Sequence, residues 1–205
     1  MLASFVAAAQ TYPEPEFSNE VYFLKKDSIY SVMRLEKNAS KMETKTKLGG
    51  MGGSESGYPF DGEKSPVRLG GKNNFNFVFS TGAANKSASS KSDSLMKANG
   101  ADPSMMSGMM GGMNDPATMI TLYKVESGKG GRKVLLQKTP GANPFGSHKV
   151  QSSDKYTFSV KKIRDGYWVL MIDKILPTGE YAFTIMDMGM GAVSGGTTIF
   201  AFGVD

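Results

Sequence analysis

The chain has 205 residues, no cysteine and a formal charge of +5, a length that holds one ordinary domain, or two small ones, and can bury a core without covalent staples. The missing cysteine excludes disulfides, thiolate zinc sites and thiol nucleophiles. The lysines are scattered among acids instead of gathered on one element, which points to a solvated basic surface and away from a nucleic-acid face.

Residues 1–9, Met-Leu-Ala-Ser-Phe-Val-Ala-Ala-Ala, are uncharged and end in small residues, with Pro13 and Pro15 following. They read as a clipped signal peptide that lacks its basic leading region and part of its apolar run, the alternative being an apolar tail that packs on the domain. With the absence of cysteine, this points to export. Residues 10–205 then form a single domain. No run approaches the about 18 apolar residues that a membrane-spanning helix needs.

The first hairpin is expected from 21–24 across Lys25-Lys26-Asp27-Ser28 to 29–35, with weaker strands at 42–47 and 66–69. Between those two, residues 48–63 hold Gly-Gly-Met-Gly-Gly and Ser-Glu-Ser-Gly-Tyr-Pro-Phe-Asp-Gly and read as a mobile loop. Phe75, Phe77 and Phe79 then share one side of a half-buried strand. Residues 81–117 carry almost no β-branched or aromatic side chains. Such a segment cannot bury enough apolar area to offset its ordering entropy, so a long disordered insertion is expected there.

A hairpin follows from 119–125 across Ser127-Gly128-Lys129-Gly130-Gly131 to 133–137. Tyr156, Phe158 and Val160 alternate with polar neighbours, and Asp165-Gly166 predicts a type I′ turn joining 156–163 to 167–172. Leu176-Pro177-Thr178-Gly179 sets another turn. Beyond it Tyr181, Phe183 and Ile185 face one way, so the three strands are expected to run as a meander. Residues 198–204 close the chain with Phe200, Phe202 and Val204 on one face. The sum is about ten strands in an all-β antiparallel sandwich, with a β-barrel as the alternative architecture.

Few residues carry candidate chemistry. Met105, Met106, Met109, Met110 and Met113 lie in the insertion, and Met186, Met188 and Met190 alternate along a late strand. Thioethers suit Cu(I), and the lone imidazole, His148, could join them; flexible spacer and core filler are the ordinary explanations. Ser147 beside His148 lacks a nucleophile-elbow context. Asp27, Asp61, Asp165 and Asp173 flank turns, and so does Glu180, which argues for exposure and against an acid/base pair. Neither Gly49-Gly50-Met51-Gly52-Gly53 nor the glycines at 108–112 open a helix after a buried strand, as a phosphate cradle requires. Trp168 reads as core before it reads as a carbohydrate platform. No catalytic residues and no cofactor are expected.

Val21-Tyr22-Phe23-Leu24, Leu176-Pro177-Thr178-Gly179-Glu180-Tyr181-Ala182-Phe183 and Phe202-Gly203-Val204-Asp205 together resemble uncharacterised exported β-rich proteins of Bacteroidetes-type bacteria. The resemblance implies a periplasmic, outer-surface or secreted location and attaches no activity. It also implies that Asp27-Ser28-Ile29 and Asp93-Ser94-Leu95 resemble O-glycosylation sites. The expected role is a non-enzymatic envelope or secreted interaction module whose partner is another protein or a cell-surface component. The alternative is a periplasmic copper-binding protein that uses the methionines.

Overall fold

The computed structural model describes residues 11–47, 52–71, 74–82, 115–141, 149–185 and 196–205. In chain order the elements begin with β1 (Glu20–Lys26), β2 (Tyr30–Arg34), β3 (Glu36–Lys41), β4 (Glu43–Thr46), β5 (Gly53–Phe60), β6 (Arg68–Leu69) and β7 (Asn76–Ser80). One helical turn, α1 (Pro116–Met119), leads into β8 (Ile120–Gly128) and β9 (Gly131–Pro140). They end with β10 (Lys155–Tyr156), β11 (Phe158–Arg164), β12 (Tyr167–Ile172), β13 (Gly179–Ile185) and β14 (Gly196–Val204). Two sheets result. The smaller runs β11-β12-β7-β1-β2 and the larger β3-β14-β13-β8-β9-β5-β4, with β10 beside β8 and β6 beside β14. All pairings are antiparallel except β6 with β14.

The alternating side chains meet where the pattern requires. Phe75, Phe77 and Phe79 from the smaller sheet pack against Tyr181, Phe183 and Ile185 of β13 and against Phe200, Phe202 and Val204 of β14. Phe77 is fully buried at the centre, its ring 4.8 Å from that of Phe183 and 5.1 Å from that of Phe202. The opposite side of β7 is covered as well, because Val78 packs with Tyr22, Leu24, Tyr167 and Val169. That outer face is roofed by the chain before β1. Tyr12 stacks on Tyr30 at 5.1 Å, and the Tyr167 hydroxyl donates to the Pro13 carbonyl at 2.7 Å.

The larger sheet curls into a half-barrel around Phe60, Tyr123, Val125, Val134, Ala182, Ile199 and Ala201. Curling brings β3 to β5, where the Ser40 hydroxyl donates to the Pro59 carbonyl at 2.6 Å. The fold is therefore a sandwich, one of whose sheets closes partway toward the alternative architecture.

Several local expectations are corrected. The segment 48–63 contains β5, a full strand laddered to β4 and β9. Its Gly-Ser-Glu-Ser-Gly run shows no apolar alternation, because backbone pairing and the end residues Tyr58 and Phe60 hold it. The charged β3 was not anticipated for the same reason. The three late strands are not a meander: β11 and β12 lie in the smaller sheet, β13 in the larger, and Leu176 plugs the crossing with its side chain in the core. The strand expected over 156–163 is likewise divided at Thr157, with β10 in one sheet and β11 in the other. At the Asp165-Gly166 turn only the glycine takes a positive φ, 73°, and the register shifts between Lys162 and Arg164. A type I′ turn needs positive φ at both positions, so a bulged turn replaces it. Of the expected insertion over 81–117, only the ends are described. Thr81 N–H donates to the Gly166 carbonyl at 2.9 Å, and Asp115 caps α1 by accepting from Ala117 N–H at 2.9 Å.

Candidate functional site

A cleft of about 660 Å³ opens at one corner of the sandwich that no described residue roofs. On β1 the side chains that face the opposite sheet are Val21, Phe23 and Lys25, by two-residue alternation. They pass from fully buried, through half-buried, to exposed. Met33 of β2 sits directly beside Phe23 and is 37% exposed. An apolar residue in the inward row stays uncovered because β6, the strand facing this corner, is only two residues long. Beyond it, a side chain at Gly70 would meet nothing within 4 Å. Phe75, edge-on to Phe23 at 6.0 Å, and Leu69 complete the apolar floor; Lys25, Lys26 and Asp27 stand at the rim.

Behind the cleft lies a charge network centred on two buried groups, Glu180 and Arg132. Arg68 lines the cleft and donates to Glu180 and Asp205. Glu180 also accepts from Ser65 N–H at 2.8 Å. Arg132, with a side chain only 1% exposed, stands 3.7 Å from Glu180 and clasps Glu36 through two bonds of 2.8 and 2.6 Å. It donates further to the Gly62 and Asp61 carbonyls and lies 4.6 Å above the Phe60 ring. This guanidinium thereby joins β9 to β3 across the mouth of the half-barrel. Burial pushes the Glu36 carboxyl up, but hydrogen bonds from Arg132, Ser65 and Asn38 outweigh it and hold the group below the ordinary carboxylate range.

A second clasp holds the corner where the chain leaves β2 for β3. Glu20 accepts from Arg34 through two bonds of 3.0 Å and from Lys37 at 2.8 Å. Burial raises its pKa, and these cations lower it by more. Among the described residues no buried side-chain polar atom is left without a partner, as a well-formed interior requires.

Arg68 reaches Glu180 by lying across Gly203, directly where a Cβ would stand. Gly203→Ala should therefore push the guanidinium off Glu180 and leave that carboxylate buried with one partner fewer. The expected cost is about 1–3 kcal/mol, read as a lower urea midpoint with an unchanged slope. An unaltered midpoint would mean that Arg68 contributes nothing through this contact.

The structure places the sequence-derived candidates as follows. Met105, Met106, Met109, Met110, Met113, Met186, Met188, Met190, Ser147, His148 and Asp93-Ser94-Leu95 lie outside the described residues. Asp27-Ser28-Ile29 forms the exposed connection between β1 and β2. Asp27, Asp61, Asp165 and Asp173 are exposed, as their turn positions imply. Glu180 is not: it is 7% exposed and tied to Arg68, which corrects the expectation drawn from its place after a turn. Asp173 does not approach it and accepts instead from the Ser159 hydroxyl at 2.7 Å. Trp168 is half-buried against Phe79. Gly53 begins β5 and is no part of a phosphate cradle.

Sequence reasoning missed Glu36, Arg68 and Arg132. One compositional signal was present. Arginine is scarce beside lysine in this chain, and each arginine, Arg34, Arg68, Arg132 and Arg164, meets a carboxylate. A guanidinium makes forked, weakly hydrated contacts that lysine cannot, so rare arginines mark the paired positions.

Among the described residues no group of three or more His, Asp and Glu side chains is placed to hold a metal ion, and no helix is long and apolar enough to cross a membrane. No protein-family model matches the chain, and comparison with curated proteins and with solved structures finds no match. What fold and cleft define is a two-sheet β protein with an open apolar corner.

Proposed function

We propose that the protein is a non-enzymatic interaction module, exported to the cell envelope or the medium, that offers the open corner of its sandwich to another protein or a cell-surface component. The observation that carries this reading is the uncovered inward row Phe23 and Met33 beside Lys25 and Lys26, in a corner roofed only by the two-residue β6. An apolar floor with a few polar groups at its rim is the usual character of a binding cleft. Supporting it, the cleft wall Arg68 is tied to the buried Glu180, and Arg132 behind it clasps Glu36, an arrangement that stiffens this wall. The absence of cysteine accords with export. For the copper-binding alternative, the methionine clusters and His148 lie outside the described residues, and no feature of the described residues favours it.

A photo-crosslinking residue placed at Met33, with a control at Glu43 on the far edge strand β4, tests the contact face in intact cells. Crosslinked products are expected from the first position and not the second, in an envelope or secreted fraction. Equal yields from both, or a cytosolic location, would remove the proposal.

A further inference from the structure

We infer that the open corner binds a single-chain amphiphile with an anionic head, its hydrocarbon lying along the Phe23 row and its head at Lys25 and Lys26. This rests on the cleft being the contact face and names the chemistry of what occupies it. The inward side of β1 is a graded surface: Val21 is fully buried, Phe23 forms the floor with Phe75, and Lys25 carries charge at the mouth, all on one row. A ligand matching that row has an apolar body and a negative end.

The rim's charges favour an anion. Among the described lining residues Lys25, Lys26 and Arg68 are cationic and Asp27 is the one anion, with Lys25 on the inward row and Lys26 at the next position of the strand. Lys25 rests on Asp27 at 2.8 Å, but both side chains are more than half exposed. Such a pair contributes little and exchanges readily for a ligand head. The third cation, Arg68, is already engaged by Glu180 and Asp205 and acts as wall. The volume of about 660 Å³ lies within the roughly 300–1,000 Å³ of clefts that enclose a small molecule. A folded protein would also have to bury surface beyond the cleft, whereas the cleft by itself has the dimensions for a small molecule.

Titration of the full chain with a fluorescent long-chain fatty acid tests the assignment. A monoacyl phosphate serves as a second anionic arm and the fatty-acid methyl ester as an uncharged one. Saturable one-to-one binding of at least one anionic amphiphile is expected, and the stronger arm identifies the head. The ester should bind about tenfold more weakly, the loss expected when a charge-assisted contact is removed. Lys25→Ala with Lys26→Ala should weaken the anions about tenfold and leave the ester unchanged.

Gly70→Phe fills open space, since a Cβ there meets nothing within 4 Å; it should abolish binding of all three ligands without lowering the melting temperature. No saturable binding, equal binding of acid and ester, or full binding by Gly70→Phe would each overturn the inference. Crosslinks from Met33 to a protein, without amphiphile binding, would retain the contact face and remove this ligand. Loss of the crosslinks with amphiphile binding intact would do the reverse.

Discussion

Arg132→Met should destabilise the protein by about 3–5 kcal/mol, the cost of removing one partner from a buried ion pair. The arginine side chain is 1% exposed and Glu36 19%, so solvent screening is slight. Its loss strands Glu36 and takes a cation from beside Glu180, and it leaves the Gly62 and Asp61 carbonyls without their guanidinium donor. Urea unfolding at neutral pH measures the effect.

The pH dependence carries a definite sign. In the native chain the folded pKa of Glu36 is depressed, so its contribution is complete above the ordinary carboxylate value and is lost as pH falls through the folded one. In the variant burial dominates and the folded pKa rises. The variant is then penalised while Glu36 is ionised, and protonation relieves it. The stability gap between the two proteins should therefore narrow as pH falls from 7 toward about 4. Adding Glu36→Gln to Arg132→Met should recover part of the loss. A gap that stays constant with pH would show that lost packing on Phe60, and not the stranded carboxylate, is the cause.

Phe77→Ala should cost a similar about 3–5 kcal/mol, for a different reason. Phe77 is 0% exposed and is the point at which the smaller sheet meets the larger, touching Phe23, Phe183 and Phe202. Truncation removes transfer free energy and leaves a cavity between sheets that cannot collapse around it, because strands on both sides are held by ladders. Phe77→Leu retains much of the volume and should cost distinctly less. Ile29→Ala, at an 80% exposed turn position, should change stability by less than about 0.5 kcal/mol. If Phe77→Ala proved no worse than Ile29→Ala, the two sheets would not share the interior described above.

Strand positions and facing were legible because a strand's period is local. Phe75, Phe77 and Phe79, or Phe200, Phe202 and Val204, declare their common face from spacing alone, and all six pack in one core. The β1–β2 and β8–β9 hairpins were legible from their turn residues. β3 and β5 were not, since charged and Gly/Ser-rich segments become strands through the neighbours that pair with them. Of the cleft, the sequence indicated Phe23, Lys25 and Lys26 as parts of a hairpin. Nothing local marked the corner as open, because openness depends on how short the facing β6 is.

By itself the sequence determined an all-β chain without sulfur crosslinks and the residues that face inward along its clearest strands, because side-chain alternation and turn chemistry act over a few residues. Only the tertiary structure decided that β12 and β13 belong to different sheets, that the larger sheet curls, that Glu180 is buried against Arg68, and that Met33 stays uncovered. Those outcomes depend on contacts between residues far apart in the chain, such as Glu36 with Arg132 and Arg68 with Asp205, and short-range periodicity carries no information about which distant strand supplies the partner.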